Sequence, residues 1–327
     1  MENSRRCQVA TQAEGLTPSG STLVGLRHRT RYAYGGPIRL GPQVIRLRPA
    51  PHCATPILSY RLTVLPAGHD LRHYQDPSGN FLARVSFPDP ADALELTVDL
   101  VADLAERNPF DFMVDPEAAG WPFRYDALLA HELSPYCSSG RPAWMTELLA
   151  GLDQGSSVDM LVSLNHLVHD RVFYLQRMET GVQTPEQTLL LASGSCRDSA
   201  WLLVHTARAL GFAARFVSGY LIQLFEPTNP AGNLHEDGAD LHAWAEMYLP
   251  GAGWIGFDAT SGLVIGPGHI PLACTADPAT AAPISGTLSA AAAVDFTASL
   301  SVVRLHGPEA KAVPDGKSGR ESSPRYS

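Results

Sequence analysis

The chain has 327 residues, 45% hydrophobic and 17% charged, with a formal net charge of −9. This suits a globular protein of about two domains and excludes the broad basic surface that nucleic-acid binding requires. No stretch is apolar over the length of a membrane-spanning helix.

Residues 1–20 are polar, carry Gly and Pro, and read as a disordered arm. From about Thr22 to Ala102 the pattern is β, with short alternating runs in Leu23 to Tyr34, Val44 to Leu47, Ile57 to Val64, Phe81 to Phe87 and Leu94 to Val101. Turn clusters such as Gly35-Gly36-Pro37 and Asp76-Pro77-Ser78-Gly79-Asn80 separate the runs. Residues 21–104 are therefore expected to form a small all-β domain, with the many N-terminal arginines on solvated strand faces.

Residues 105–305 read as a second, mixed domain. Helices are expected over Asp126 to Leu133, Pro142 to Leu152 and Ser157 to Val172, the last with Met160, Leu161, Leu164, Leu167 and Val168 in one stripe. Pro185 to Leu191 is a short helix or turn. Strands follow over Ala213 to Leu221, Leu241 to Leu249 and Trp254 to Ala259. Residues 261–285 are rich in Gly and Pro and read as surface coil; Val294 to Leu305 reads as a last strand, and residues 306–327 as a disordered tail.

Five cysteines, Cys7, Cys53, Cys137, Cys196 and Cys274, are odd in number and lack C-x-x-C spacing. Free thiols in a reducing compartment are the economical reading, and Met1 to Thr22 has no apolar core of the signal-peptide type, so a cytoplasmic location is expected. No cofactor or metal site is expected: His235, Glu236 and Asp240 lack a standard ligand spacing and read as a solvated loop.

One cysteine stands apart. Gly194-Ser195-Cys196-Arg197-Asp198 breaks from loop into helix, with Ser195 as N-cap and Asp198 three residues on as its partner. Ala200, Leu203, Val204, Ala207 and Leu210 then repeat at helical spacing up to Gly211. A cysteine in the first turn faces unpaired N–H groups and the positive end of the helix dipole, which favour the nucleophilic thiolate. The same N–H groups could hold an oxyanion.

The strand Leu241 to Leu249 puts His242, Trp244, Glu246 and Tyr248 on one face. If the following hairpin turns about Pro250, His242 faces Asp258, Trp244 faces Gly256 and Glu246 faces Trp254. An aspartate there would fix the imidazole tautomer and leave the other ring nitrogen for a thiol. Cys196, His242 and Asp258 thus have the chemistry of nucleophile, general base and orienting carboxylate. Gln187 is a weaker candidate oxyanion donor and Trp244 a candidate wall of the acyl site.

Gly194-Ser195-Cys196-Arg197-Asp198, Leu241-His242-Ala243-Trp244 and Gly253-Trp254-Ile255-Gly256-Phe257-Asp258-Ala259-Thr260 together resemble the core of the transglutaminase-like superfamily. The likeness is to its bacterial, cysteine-protease-like branch, whose β-rich N-terminal domain is resembled by Tyr32-Ala33-Tyr34 through Arg46-Leu47-Arg48-Pro49 and by Gln75-Asp76-Pro77-Ser78-Gly79-Asn80. The resemblance implies an α+β, papain-like fold, with a cysteine helix packed on an antiparallel sheet that carries His and Asp. It implies acyl transfer or hydrolysis at an amide bond of a peptide or protein substrate, through an acyl-thioester. Ala259 stands where many relatives have proline. The alternative is an inactive member of the fold used as a binding or scaffold module. Neither the oligomeric state nor the acyl acceptor is readable from the sequence.

Overall fold

A computed structural model describes residues 21–137, 140, 142–150, 152, 155–177, 179–225, 236–289 and 294–305. The arm and tail expected over 1–20 and 306–327, as well as Cys7 and His235, lie outside the described residues.

The N-terminal region is all β: β1 (Leu23–Ile38), β2 (Gln43–Ile45), β3 (Ile57–Leu65), β4 (Asp70–Gln75), β5 (Phe81–Ser86) and β6 (Ala91–Asp103). Alternation buries Leu94, Leu96, Val98 and Leu100 of β6 against Val24 and Leu26 of β1 and against Ile45, Ala83 and Val85. The opposite face of β1 carries charge, with Arg27 on Asp99 at 2.6 Å and Arg29 on Glu95 at 2.7 Å.

Two C-terminal strands complete this region. The strand Asp295–Arg304 falls in the 105–305 stretch assigned by sequence to the second domain, yet it pairs along β1 from Ala33↔Asp295 to Val24↔Arg304. Ile284–Ser285 likewise pairs with β2. Numbered in chain order, these are β17 and β16, giving two antiparallel sheets of order β17-β1-β6-β3 and β16-β2-β5-β4. The chain therefore returns to the domain it began in and covers an edge that β1 would otherwise expose.

Between them lies the mixed region: β7 (Gly120–Trp121), α1 (Ala127–Glu132), α2 (Ala143–Leu148), β8 (Gly155–Ser156), α3 (Ser157–Arg171), β9 (Phe173–Tyr174), α4 (Pro185–Leu191), β10 (Ser193–Gly194) and α5 (Cys196–Ala209). Asp126 caps α1 by accepting from the N–H groups of Leu128 and Leu129. A five-stranded antiparallel sheet follows, with β11 (Ala214–Gln223), β12 (Gly238–Leu249), β13 (Gly253–Asp258), β14 (Leu263–Val264) and β15 (His269–Thr275) in the order β14-β13-β12-β11-β15. Leu203, Val204 and Ala207 of α5 pack with Ala243, Ala245 and Met247 of β12, and the α3 stripe of Met160, Leu161, Leu164 and Val168 closes the same core. Each such leucine, fully buried, contributes roughly 1.5–3 kcal/mol. The result is α+β: a cysteine-bearing helix on an antiparallel sheet, with an all-β region beside it.

The coil expected over 261–285 is corrected by β15, whose Ile270 through Thr275 are buried. Pro271 hides the strand in the sequence. It is tolerated because β15 is the outermost strand and its ladder on β11 shifts register at Ser218/Gly219, opposite Pro271. Tyr220, Ile222, Ile270 and Leu272 then join Val24, Leu26 and Leu100 in one apolar cluster, so the two regions share a core. Among the described residues no helix is long and apolar enough to cross a membrane.

Candidate active site

Cys196 is the first residue of α5, and Ser195, extended at φ −86° and ψ 176°, is its N-cap. Asp198 ties the turn together. Its Oδ2 accepts from the Ser195 N–H at 2.8 Å and from the Ser195 hydroxyl at 2.7 Å. Its Oδ1 accepts from the Gln183 N–H at 2.8 Å, and the guanidinium of Arg177 spans both oxygens at 2.8 Å. Asp198 is fully buried. Burial works against its charge, but the hydrogen bonds from Gln183, Ser195 and Arg177 outweigh it and hold the carboxyl below its ordinary range. Gly194 is required here, since a Cβ would come within 2.8 Å of the Asp198 Cβ.

β9 runs parallel to β10, with the Leu175 N–H on the Gly194 carbonyl at 2.9 Å. This sets Tyr174 beside the cysteine loop. Desolvation, together with the charges of Cys196, Asp240 and Asp258, raises its hydroxyl.

His242 projects from β12 and Asp258 ends β13. Their hairpin pairs Leu249↔Gly253, Tyr248↔Trp254 and Glu246↔Gly256, which is two residues off the register expected from a turn about Pro250. The turn instead spans residues 250–252, closed by the Ala252 N–H on the Leu249 carbonyl at 3.0 Å, with Gly251 at φ +83°. A shift of two preserves which face each side chain takes, so Asp258 still reaches His242, diagonally rather than directly across.

The His242 Nε2 lies 3.1 Å from the Asp258 Oδ2. The Nε2–H does not point squarely at that oxygen. Cys196 lies near enough to His242 to act on the charge of its ring. Burial alone would strip the proton from this imidazole, but Asp258 and Cys196 beside it push it up to about 10. Asp258 in turn accepts from the Thr260 N–H at 2.8 Å on Oδ1 and from the Ser261 hydroxyl at 3.0 Å on Oδ2. Although buried, it is held well below the usual carboxylate range by His242 and His269.

The two weaker sequence candidates are placed elsewhere. Gln187 is exposed on α4, and its Oε1 accepts from the Thr184 N–H at 3.0 Å while Thr184 accepts from the Gln187 N–H. Its amide oxygen therefore serves as a helix cap. Trp244 is fully buried, edge-on to His269 at 5.2 Å and packed on Gly219, where a Cβ would sit 2.4 Å from the indole. It supports the imidazoles from below and offers no surface to a substrate.

Sequence reasoning missed His269, whose Nε2 lies 3.5 Å from the Asp258 Oδ2. Its stretch reads as coil, and only a histidine ahead of the apolar run Ile270 to Cys274 could have flagged it. Arg177, the partner of Asp198, carried no local signal at all.

Residues 24–103 match the family described as the bacterial transglutaminase-like N-terminal region. Residues 144–259, which include Cys196, His242 and Asp258, match the transglutaminase-like superfamily. The chain belongs to the transglutaminase-like superfamily. An uncharacterized protein of Mycobacterium tuberculosis (strain ATCC 25618 / H37Rv) is 26% identical over 291 residues, covering 85% of this chain and 91% of the relative. A Pseudomonas aeruginosa protein named protein-glutamine gamma-glutamyltransferase is 42% identical over 71 residues, 21% of this chain and 10% of that protein. The crystal structure of a Cytophaga hutchinsonii protein, provisionally described as a cysteine protease, superposes with a TM-score of 0.65 at 20% identity, over 88% of this chain and 92% of that one. That similarity establishes a shared fold. In this transglutaminase-like chain the thiol of Cys196, the imidazole of His242 and the carboxylate of Asp258 act on one another's charge, with Asp258 3.1 Å from the His242 ring.

Proposed function

We propose that this transglutaminase-like protein is a cysteine-dependent acyltransferase or hydrolase acting on an amide of a peptide or isopeptide substrate. The observation that supports this reading is the His242 ring 3.1 Å from Asp258, with Cys196 at the start of α5 near enough to help hold its proton. The Cys196 sulfur attacks the carbonyl carbon, and the carbonyl oxygen gains charge facing the N–H groups at the start of α5. The C–N bond breaks as the amine takes a proton from His242, leaving an acyl-thioester. Water or a second amine then attacks that thioester, giving its proton to His242 and restoring the thiol pair.

A glutamine carboxamide is the first donor to test, because the short, higher-identity match is to a protein named for that chemistry. Self-crosslinking is a poor expectation, since lysine occurs only at Lys311 and Lys317. We place the protein in the cytoplasm, consistent with its free Cys53, Cys137, Cys196 and Cys274. The test is mass spectrometry of glutamine-containing peptides incubated with wild type or Cys196→Ala, with and without a small primary amine. Deamidated or cleaved peptide, or an amine adduct, is expected with wild type alone. No product under any condition, with Cys196 inert to an acylating probe, would favour the scaffold reading instead.

A further inference from the structure

Asp258 is approached by two imidazoles, and their second ring nitrogens differ. In His269 the Nδ1 accepts a hydrogen bond from the Gly266 N–H at 3.2 Å, and the His269 backbone N–H returns to the Gly266 carbonyl at 3.0 Å. A nitrogen that accepts an N–H carries no proton of its own, so the His269 proton sits on Nε2, the atom facing the Asp258 Oδ2. The loop that imposes this is held closely. A Cβ at Gly268 would lie 2.1 Å from the Ile222 carbonyl oxygen. The ring itself is braced against Trp244 and 12% exposed.

The same geometry bears on a metal ion. The His242 and His269 nitrogens and the Asp258 oxygen lie within 4.8 Å of one another, close enough for one cation. A metal on the His269 Nε2 would move the proton to Nδ1, pointing it at the Gly266 N–H. Metal-ligating histidines do the reverse, donating from the second nitrogen to an acceptor. The backbone at Gly266 thus selects a proton donor over a cation ligand.

We infer that His269 is a positioning residue: an imidazole with its proton on Nε2, which faces the Asp258 Oδ2 at 3.5 Å without a well-aligned hydrogen bond, so that its N–H dipole holds that carboxylate against His242. Being neutral, it fixes the Asp258 oxygen without claiming its charge, which stays available to the His242 imidazolium. This role rests on the proposed Cys196–His242–Asp258 chemistry, but the state of the His269 ring can be read without any turnover.

Two variants separate its two contacts. His269→Gln keeps an N–H donor near the Nε2 position and loses the acceptor for Gly266. His269→Asn keeps an acceptor near Nδ1 and loses the N–H facing Asp258. The readout is the rate of iodoacetamide alkylation at Cys196 against pH, resolved by peptide mass spectrometry. A positioning role predicts His269→Gln within a few-fold of wild type and His269→Asn reduced roughly 10–100-fold near neutral pH, as for other orienting partners. An unimpaired His269→Asn would overturn the inference, making His269 a loop anchor only. If both variants fall or unfold, nitrogen-15 NMR of histidine-labelled wild type decides. A neutral His269 with its proton on Nε2, beside a charged His242, upholds the inference; a cationic or Nδ1–H ring at 269 refutes it. Should Cys196 alkylation prove indifferent to His242→Ala, the triad reading fails while the His269 tautomer remains separately measurable.

Discussion

Two buried histidines, one in each region, have opposite charge states. His28 on β1 is 1% exposed, and its two ring nitrogens meet hydroxyls, Tyr220 at 3.0 Å and Thr30 at 2.8 Å. Burial lowers it to about 4, leaving a neutral ring. His242 on β12 is 9% exposed, yet is pushed up to about 10 by Asp258 and Cys196 against the same burial. Removal from water expels a proton from an imidazole, and a carboxylate at 3.1 Å draws it back. The cysteines make a parallel contrast. Burial pushes Cys53 up to about 11 and Cys274 well above the ordinary thiol value, which leaves them inert. Cys196 is half-buried, at a helix start, beside His242.

The contrast can be broken outright. Cys196→Ala and His242→Ala should each abolish labelling by an acylating probe, whereas Cys274→Ala should leave it intact; mass spectrometry of the intact protein reads all three. Asp258→Asn should keep the fold but drop the His242 ring toward its ordinary value, lowering the rate of probe acylation by roughly 10³–10⁴-fold, as for other orienting carboxylates. Arg177→Met leaves the Asp198 charge buried without its cation, and denaturant unfolding should report a loss of roughly 3–5 kcal/mol. Since His28 is lowered, its contribution to stability is present at neutral pH and is lost as pH falls from about 6.5 through about 4. Since His242 is raised, its contribution is full below about 6.5 and is lost as pH rises through about 10. Melting of His28→Leu and His242→Leu across pH should flatten the acid and the alkaline limb respectively. Gln187→Ala should cost only about 1 kcal/mol as a damaged cap and leave labelling unchanged.

The site was legible where its signals are local. Ser195 and Asp198 announce a helix start, and period two puts His242 and Asp258 on faces that a two-residue register error could not exchange. The error arose at the turn, where Pro250 looked like the pivot and Gly251 supplies the left-handed residue. Long-range partners left no trace. The pairing of Arg177 with Asp198 joins segments 21 residues apart. The return of Asp295–Arg304 to β1 spans most of the chain, and the sequence of that strand says nothing of which edge it joins. His269 was obscured by the Gly-Pro-Gly run ahead of it, the same run whose backbone fixes its tautomer.

What sets this site apart is a buried imidazolium at position 242, held by a carboxylate and a sulfur. Nitrogen-15 NMR titration of histidine-labelled protein tests it most directly, with His242→Ala to assign the resonance. Both ring nitrogens of His242 should stay protonated through neutral pH and release a proton near 10, a plateau that Asp258→Asn removes. A His242 ring that is neutral at pH 7, titrating low as His28 does and unmoved by Asp258→Asn, would contradict it.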